Sequence, residues 1–521
     1  MTTAVNLVHH GYFPKELPPP FTTEALALLL NSKGAAFTGD FAQNSKKTSK
    51  PCIHNLARVG SLRRKLSIPN PVNFVQLAVR LAVDWQQLQA FCNRSNLSLS
   101  TPVLTNTAGR AIGRKEAMNA IPIHRAKLRA TSNFILSADI ASFYPTIYTH
   151  SIPWALNGKV AAKAAKQSPA LLGNELDRLI RNGQEGQTMG IPIGPDTSLV
   201  IAETVLVGME LAAHIQSPGF RYIDDFEFGF RTISEAESAL ATLQSVTAEF
   251  SLQLNPSKTR IIALPEPIDE SWVSELRIFP FRSDRKSQRY DLIHYFNRAF
   301  ELAKLHPAQA VLKYAISRTD GIAIDPNNWS LFQHLILQSA TSEPGALSFV
   351  IEQLKFYSEQ HYQLDGAALA SALSSIVTTQ APLGHGSEVA WALWGAILFQ
   401  LHLTSSAVNA LQHIDDPVVA LLALDANAQG LLGAGFAAAL WQSHMTPDEL
   451  FDDQWLLAYE ANVKRWLPSV GVADHVSSVP AFSFLKAEGV VFYNDTRRNT
   501  YLSDRRRNAI VWGGGGASTS G

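Results

Sequence analysis

Four residues, Tyr222-Ile223-Asp224-Asp225, constrain this chain more than any other feature. They lie in a stretch, Phe220 to Phe230, that reads as two short strands joined by a tight turn. Phe226, Phe228 and Phe230 alternate with Glu227 and Gly229, the period of a half-buried strand. Two adjacent carboxylates at such a turn repel each other, and burying them is unfavourable unless a cation offsets the charge. Upstream, Asn133 to Ile140 predicts a strand that ends in a third carboxylate, Asp139. Three aspartates converging from neighbouring strands form an oxygen-rich site suited to Mg²⁺. The chemistry they imply is two-metal phosphoryl transfer. An Asp-Asp pair alone is more often a solvated turn, so the weight of the reading falls on its surroundings.

A chain of 521 residues predicts two to four domains. With 46% hydrophobic and 17% charged residues it is a folded globular chain with ample core. Its net charge is zero, but the halves differ. Residues 1–290 hold 31 Lys and Arg against 23 Asp and Glu, a net +8, and residues 291–521 hold 13 against 21, a net −8. A basic front half fits a partner with a phosphate backbone. Cys52 and Cys92 are too few for a disulfide framework or a structural zinc site, so a reducing, cytoplasmic location is expected. The N-terminus has no signal pattern, and no apolar run reaches the roughly 18 residues that span a bilayer, so no membrane partner is expected.

Along the chain, residues 1–20 are Pro-rich and predict an extended surface segment. Phe21 to Leu30 and Asn73 to Asn93 have helical spacing, and Asn31 to Lys50 reads as a polar loop. Residues 108–130 carry Arg110, Arg114, Lys115, Arg125, Lys127 and Arg129, able to hold a triphosphate or a nucleic-acid backbone; their bland reading is a solvated strand pair. Gly190-Ile191-Pro192-Ile193-Gly194-Pro195 predicts a rigid turn, with Asp196 as N-cap of an apolar helix running to about His214. An amphipathic helix, Ile233 to Phe250, and a strand, Lys258 to Leu264, complete an α+β sheet with helices on one face. From about residue 288, helical patterns follow one another with short breaks, three of them opening at or beside Pro307, Pro344 and Pro417. A solenoid-like stack of helix pairs is the natural reading. The tail, with Arg497-Arg498 and Arg505-Arg506-Arg507, reads as irregular and solvated.

Taken together, residues 108–264 resemble the palm and fingers of a reverse transcriptase. Ser137-Ala138-Asp139-Ile140-Ala141-Ser142-Phe143-Tyr144 looks like the family's first catalytic motif, and Gly190 to Leu206 looks like the second. Tyr222-Ile223-Asp224-Asp225 matches the third, and Asn255-Pro256-Ser257-Lys258-Thr259 looks like the fourth. Most reverse transcriptases carry Pro-Gln-Gly in the second motif, where this chain has Pro192-Ile193-Gly194. That form, the Ser-Phe-Tyr-Pro run and a long helical C-terminal region resemble bacterial abortive-infection and defence-associated reverse transcriptases.

The resemblance implies an α+β fingers and palm followed by an all-α, HEAT-like helical-repeat domain. The expected divisions are an N-terminal extension (1–107), fingers and palm (108–287), helical repeats (288–486), a basic tail (487–512) and a linker or cloning scar (513–521). It implies that Asp139, Asp224, Asp225 and the Ile140 carbonyl hold two Mg²⁺ ions, with Mn²⁺ as the alternative, and that Lys258 serves the departing pyrophosphate. It places Tyr144 as the ring that excludes a ribose 2′-OH. Phe143, Pro192, Ile193, Gly194 and Tyr222 would line the nucleotide site, with Arg125 and Lys127 on the triphosphate. The implied activity is DNA synthesis from dNTPs in anti-phage defence, RNA-directed or without a conventional template. The implied partners are a non-coding RNA, a DNA product joined to a protein hydroxyl that primed it, and further copies of the chain. Two other readings are a templated enzyme of the retron or group II intron type and an inactive palm serving as an RNA-binding scaffold.

Overall fold

The computed structural model describes residues 3–34, 47–58, 62–105, 109–165 and 168–503. Two small antiparallel hairpins come first. β1 (Cys52–Ala57) pairs with β2 (Arg63–Ile68), and β3 (Pro102–Leu104) pairs with β4 (Ile112–Arg114). A four-stranded antiparallel sheet follows, built from β5 (Phe134–Asp139), β6 (Gly219–Tyr222), β7 (Asp225–Phe230) and β8 (Arg260–Ala263) in the order β6-β7-β5-β8. The predicted hairpin is therefore β6–β7, and β7 lies against β5 with Phe134 opposite Phe230 and Asp139 opposite Asp225.

The strand period sorts side chains to two faces. Leu136, Ala138, Phe226, Phe228 and Phe230 enter the main core beneath helices Asp196–Ala213 and Ile233–Glu249. Ile135, Phe220 and Tyr222 form a smaller cluster with Leu128 and Leu99 on the other face. Helix Ile121–Arg129 covers that second face, so helices flank both sides of the sheet rather than one. Close approach there requires Gly229, because a Cβ at this position would lie 2.1 Å from Ser132 Oγ and 2.8 Å from Leu128 Cδ1. The second half of the basic segment 108–130 is thus helix and not a strand pair.

Beyond residue 285 the described chain has no named strand and is mostly helical. Trp329–Ser342 packs on Gly366–Gln380, Leu347–Glu359 on Gly386–Phe399, and Gly386–Phe399 on Pro417–Ala428, which packs in turn on Trp455–Val463. Each of these four contacts joins a helix to the one after next. Pro417 sits at the first turn with Asp416 accepting from Val418 and Val419 N–H. Pro307, by contrast, stands ahead of its helix, which runs Val311–Arg318.

Both ends depart from the sequence reading. Residues Thr3–His10 form a helix with Val5, Leu7 and Val8 buried, where an extended surface segment was expected. The tail past residue 486 sends side chains into the core: Val490, Phe492, Tyr493 and Tyr501 are buried, between exposed positions such as Glu488 and Thr500. Tyr493 bridges to Phe21, so the two ends of the described chain meet. Arg505-Arg506-Arg507 and residues 513–521 lie outside the described residues. The front segment also binds the helical half directly. Arg63 pairs with Glu388 (2.6 Å), His54 with Asp416 (2.8 Å), and Trp455 Nε1 donates to the Ile68 carbonyl (3.0 Å). One continuous hydrophobic core runs from Val5 to Tyr501. No described helix is long and apolar enough to cross a membrane. Cys52 and Cys92 are free and buried.

Candidate active site

The site forms where β5 and β7 reach the same end of the sheet. The Asp139 backbone carbonyl accepts from Asn255 N–H (2.7 Å), and Ala141 N–H donates to Gln253 (2.8 Å). Those bonds flank a bridge between Ile140 and Leu254. Backbone groups alternate sides along a strand, so the carbonyl of Ile140 turns the other way, toward β7. By the same alternation Asp139 and Asp225 form a non-hydrogen-bonded pair, the arrangement in which facing side chains come closest. Asp224 stands in the connecting turn, after Ile223 in left-handed conformation (φ 55°).

Asp139 is 6% exposed and both its oxygens are engaged. Oδ1 accepts from Asn255 Nδ2 (2.9 Å) and Oδ2 from Lys258 Nζ (2.8 Å). The Asn255 carboxamide oxygen accepts in turn from Ser257 N–H (3.1 Å) and Ser257 Oγ (2.7 Å), an Asx turn that aims Lys258 back at the sheet. Asp225 keeps solvent contact at the mouth of the site. Even so, desolvation, then Asp224, then Asp139 push its carboxyl up to about 7, and its neutral form shares a hydrogen bond with Asp139. Desolvation and Asp139 also raise Asp224, while Lys258 and Arg64 pull it back. A hydrogen bond to Asp139 raises the Lys258 ammonium.

The donor set suits a hard divalent cation: three carboxylates, one backbone carbonyl and an excess of negative charge. As folded here the cation on Asp139 is the Lys258 ammonium. The three aspartates are not drawn within one ligand sphere. Among the described residues the one group of three whose ligand atoms all lie within 4.8 Å of one another is Glu449, Asp452 and Asp453, in the helical half.

Around the carboxylates, Phe143 is 3% exposed and belongs to the core, with Tyr144 edge-on to it at 5.4 Å. Burial raises the Tyr144 hydroxyl to about 12, with the fields of Arg114 and Arg64 opposing and that of Asp224 adding. The Gly190–Pro195 turn docks beside Tyr144: Ile191 N–H donates to the Tyr144 carbonyl (3.0 Å). Pro192, Ile193 and Gly194 are half-buried, and the turn is tied down from outside by Ser67 N–H on the Ile193 carbonyl (2.8 Å) and Arg110 on the Gly194 carbonyl (2.8 Å). Asp196 does not cap its own helix. Its carboxylate accepts from Ala111 and Ile112 N–H (2.9 and 3.0 Å) and pairs with Arg110, which fastens the turn to β4.

Tyr222 is buried with its hydroxyl 3.4 Å from Arg114 Nη1. Arg125 does not face the acids: it pairs with Glu227 (2.6 Å) and donates to the Ile268 carbonyl (3.2 Å), and Lys127 is exposed on the same helix. Besides Lys258, the front-half cation whose field reaches Asp224 is Arg64, and Arg114 and Arg64 act on Tyr144. Sequence reasoning also passed over Asn255 as a site residue. It missed a buried cluster behind the turn as well, Arg221 with Glu203 and Glu210. The available signal was two glutamates seven residues apart in an otherwise apolar helix. The chain matches no protein-family model and no curated protein.

Proposed function

We propose that this protein is a metal-dependent DNA polymerase of the reverse transcriptase class, cytoplasmic, acting in bacterial anti-phage defence. The observation that carries the proposal is the pairing of Asp139 with Asp225 across adjacent strands, with Asp224 in the adjoining turn and Lys258 on Asp139. Asp139, Asp224, Asp225 and the Ile140 carbonyl would hold two Mg²⁺ ions, which when bound would activate a hydroxyl and stabilise charge at phosphorus. In this reading Lys258 moves from Asp139 to the leaving pyrophosphate, supplying positive charge or a proton there. Tyr144 closes the space over the sugar, and Arg64 and Arg114 answer the triphosphate charge.

Ile193 supports synthesis without a supplied template, because an apolar side chain cannot make the hydrogen bonds of the family's usual glutamine. The direct contacts between the front segment and the helical half support a closed path for the product, with priming by a protein hydroxyl and self-association as the family resemblance implies. The test is dNTP incorporation by the purified chain, with and without added template and primer, beside Asp139→Asn and Asp224→Asn. Metal-dependent incorporation lost in both variants supports the assignment. Incorporation that survives either substitution removes it. Strict copying of any supplied primed template would favour the retron or group II intron type. A second reading, an inactive palm that binds RNA, is favoured by the Lys258–Asp139 pair and the unconverged carboxylates. Absence of incorporation together with tight RNA binding would establish it.

A further inference from the structure

Arg221 lies on β6 with its side chain on the core face and is completely buried. A buried guanidinium requires partners for its charge and its donors. Helix Asp196–Ala213 supplies two carboxylates, Glu203 and Glu210, two turns apart on one face. Glu203 takes the planar end of the guanidinium in bidentate fashion (Nη2–Oε1 2.8 Å, Nη1–Oε2 3.0 Å), and Glu210 takes Nε. A further donor of Nη1 reaches the Ile223 carbonyl at 2.8 Å. The Ile223 N–H is held as well, by Ser100 Oγ at 2.9 Å. Ser100 is fully buried, and its segment runs along β6 through Leu99 N–H on the Arg221 carbonyl (2.9 Å) and Arg221 N–H on the Leu97 carbonyl (2.8 Å).

We propose that Arg221, Glu203, Glu210 and Ser100 are positioning residues, a clamp on the Ile223–Asp224 turn that sets how tightly the carboxylate site holds divalent cations. Helix-to-sheet packing would be served by the Arg221–glutamate pairs alone. The two remaining bonds serve something else: they end on the backbone of the residue before Asp224. That residue is β-branched and left-handed, a conformation that persists only where surroundings over-determine it. With both polar groups of Ile223 fixed, Asp224 leaves the turn in one direction toward Asp225 and Asp139. Two glutamates against one arginine also leave a net negative charge behind the turn, which favours a cation in front of it.

The inference rests on the polymerase reading of the three aspartates, and its test separates the two. Mn²⁺ binding to the purified full chain, without nucleotide, is titrated by electron paramagnetic resonance. Incorporation is measured in parallel against Mg²⁺ concentration. Ser100→Ala removes the bond to Ile223 N–H, together with the longer contacts to Glu203 (3.5 Å) and Ser98 (3.4 Å), and no charge, and Arg221→Lys keeps the charge but loses the fork. Ser100→Ala should weaken Mn²⁺ binding about tenfold. It should raise the half-saturating Mg²⁺ more than it lowers the rate at saturating Mg²⁺, with its melting temperature close to the parent's. Arg221→Lys, if it folds, should shift further in the same direction. Parental Mn²⁺ and Mg²⁺ dependence in Ser100→Ala overturns the clamp while leaving the polymerase reading intact. A folded parent that neither binds Mn²⁺ nor incorporates dNTPs overturns both.

Discussion

Replacing Lys258 by Met should separate metal binding from turnover, with opposite signs. The ammonium lies 2.8 Å from Asp139 Oδ2, with the lysine side chain 57% exposed and the aspartate 9%. Coulomb attraction at this distance would be about 6 kcal/mol at an effective dielectric constant of about 20 and about 1.5 kcal/mol in water. The exposure of the lysine places the pair near the watery limit, so about 1 kcal/mol is the working figure. Removing the ammonium withdraws that stabilisation from Asp139 and lowers the metal-free melting temperature by about 1–2 °C. The same change removes the competitor for Asp139, so Mn²⁺ should bind about fivefold more tightly. Incorporation at saturating metal should nevertheless fall by about 100-fold, because the leaving pyrophosphate loses its proton donor or charge partner. Mn²⁺ titration and single-turnover incorporation on one preparation give both numbers. Unchanged or weaker Mn²⁺ binding in Lys258→Met would refute the argument that the lysine and the metal share a place.

Asp225 is raised to about 7 from an ordinary value of 3.8, so the folded chain holds its proton more firmly than the unfolded chain. Metal-free stability should therefore fall as pH rises from about 4 to about 7 and level off above. Thermal melts in a chelator should show this slope, reduced in Asp225→Asn, and Mg²⁺ should stabilise the parent more at pH 8 than at pH 5. Tyr144→Ala should improve the use of rNTPs relative to dNTPs by about tenfold or more, measured as a ratio of incorporation rates. An unchanged ratio would make Tyr144 a core residue. Active protein should carry DNA that survives denaturation and is released by protease, and should scatter light as more than a monomer. Free product from a fully active monomer would remove both the priming and the self-association proposals.

The sequence by itself determined the local structure. Alternating phenylalanines placed β7, the carboxylate pair marked its turn, and 3.6-residue spacing marked helices such as Trp329–Ser342 and Pro417–Ala428. These signals survive because period and turn chemistry act between near neighbours. Its own composition misled at the ends. Proline in residues 1–20 and arginine after 486 suggested solvated segments, whereas Phe21 meets Tyr493 in the core, a contact no window of sequence contains. In the site, the three aspartates and Lys258 were legible because they bracket recognisable turns. The partner of each charge was not. Arg125 turned to Glu227 rather than to the acids, and Arg221 was buried between two glutamates of a distant helix. A charge finds its partner through the chain's path in space, and the energy of a buried pair depends on desolvation that exists only after folding. Only the tertiary structure could decide that Lys258 rests on Asp139 and that Ile223 is held from both sides.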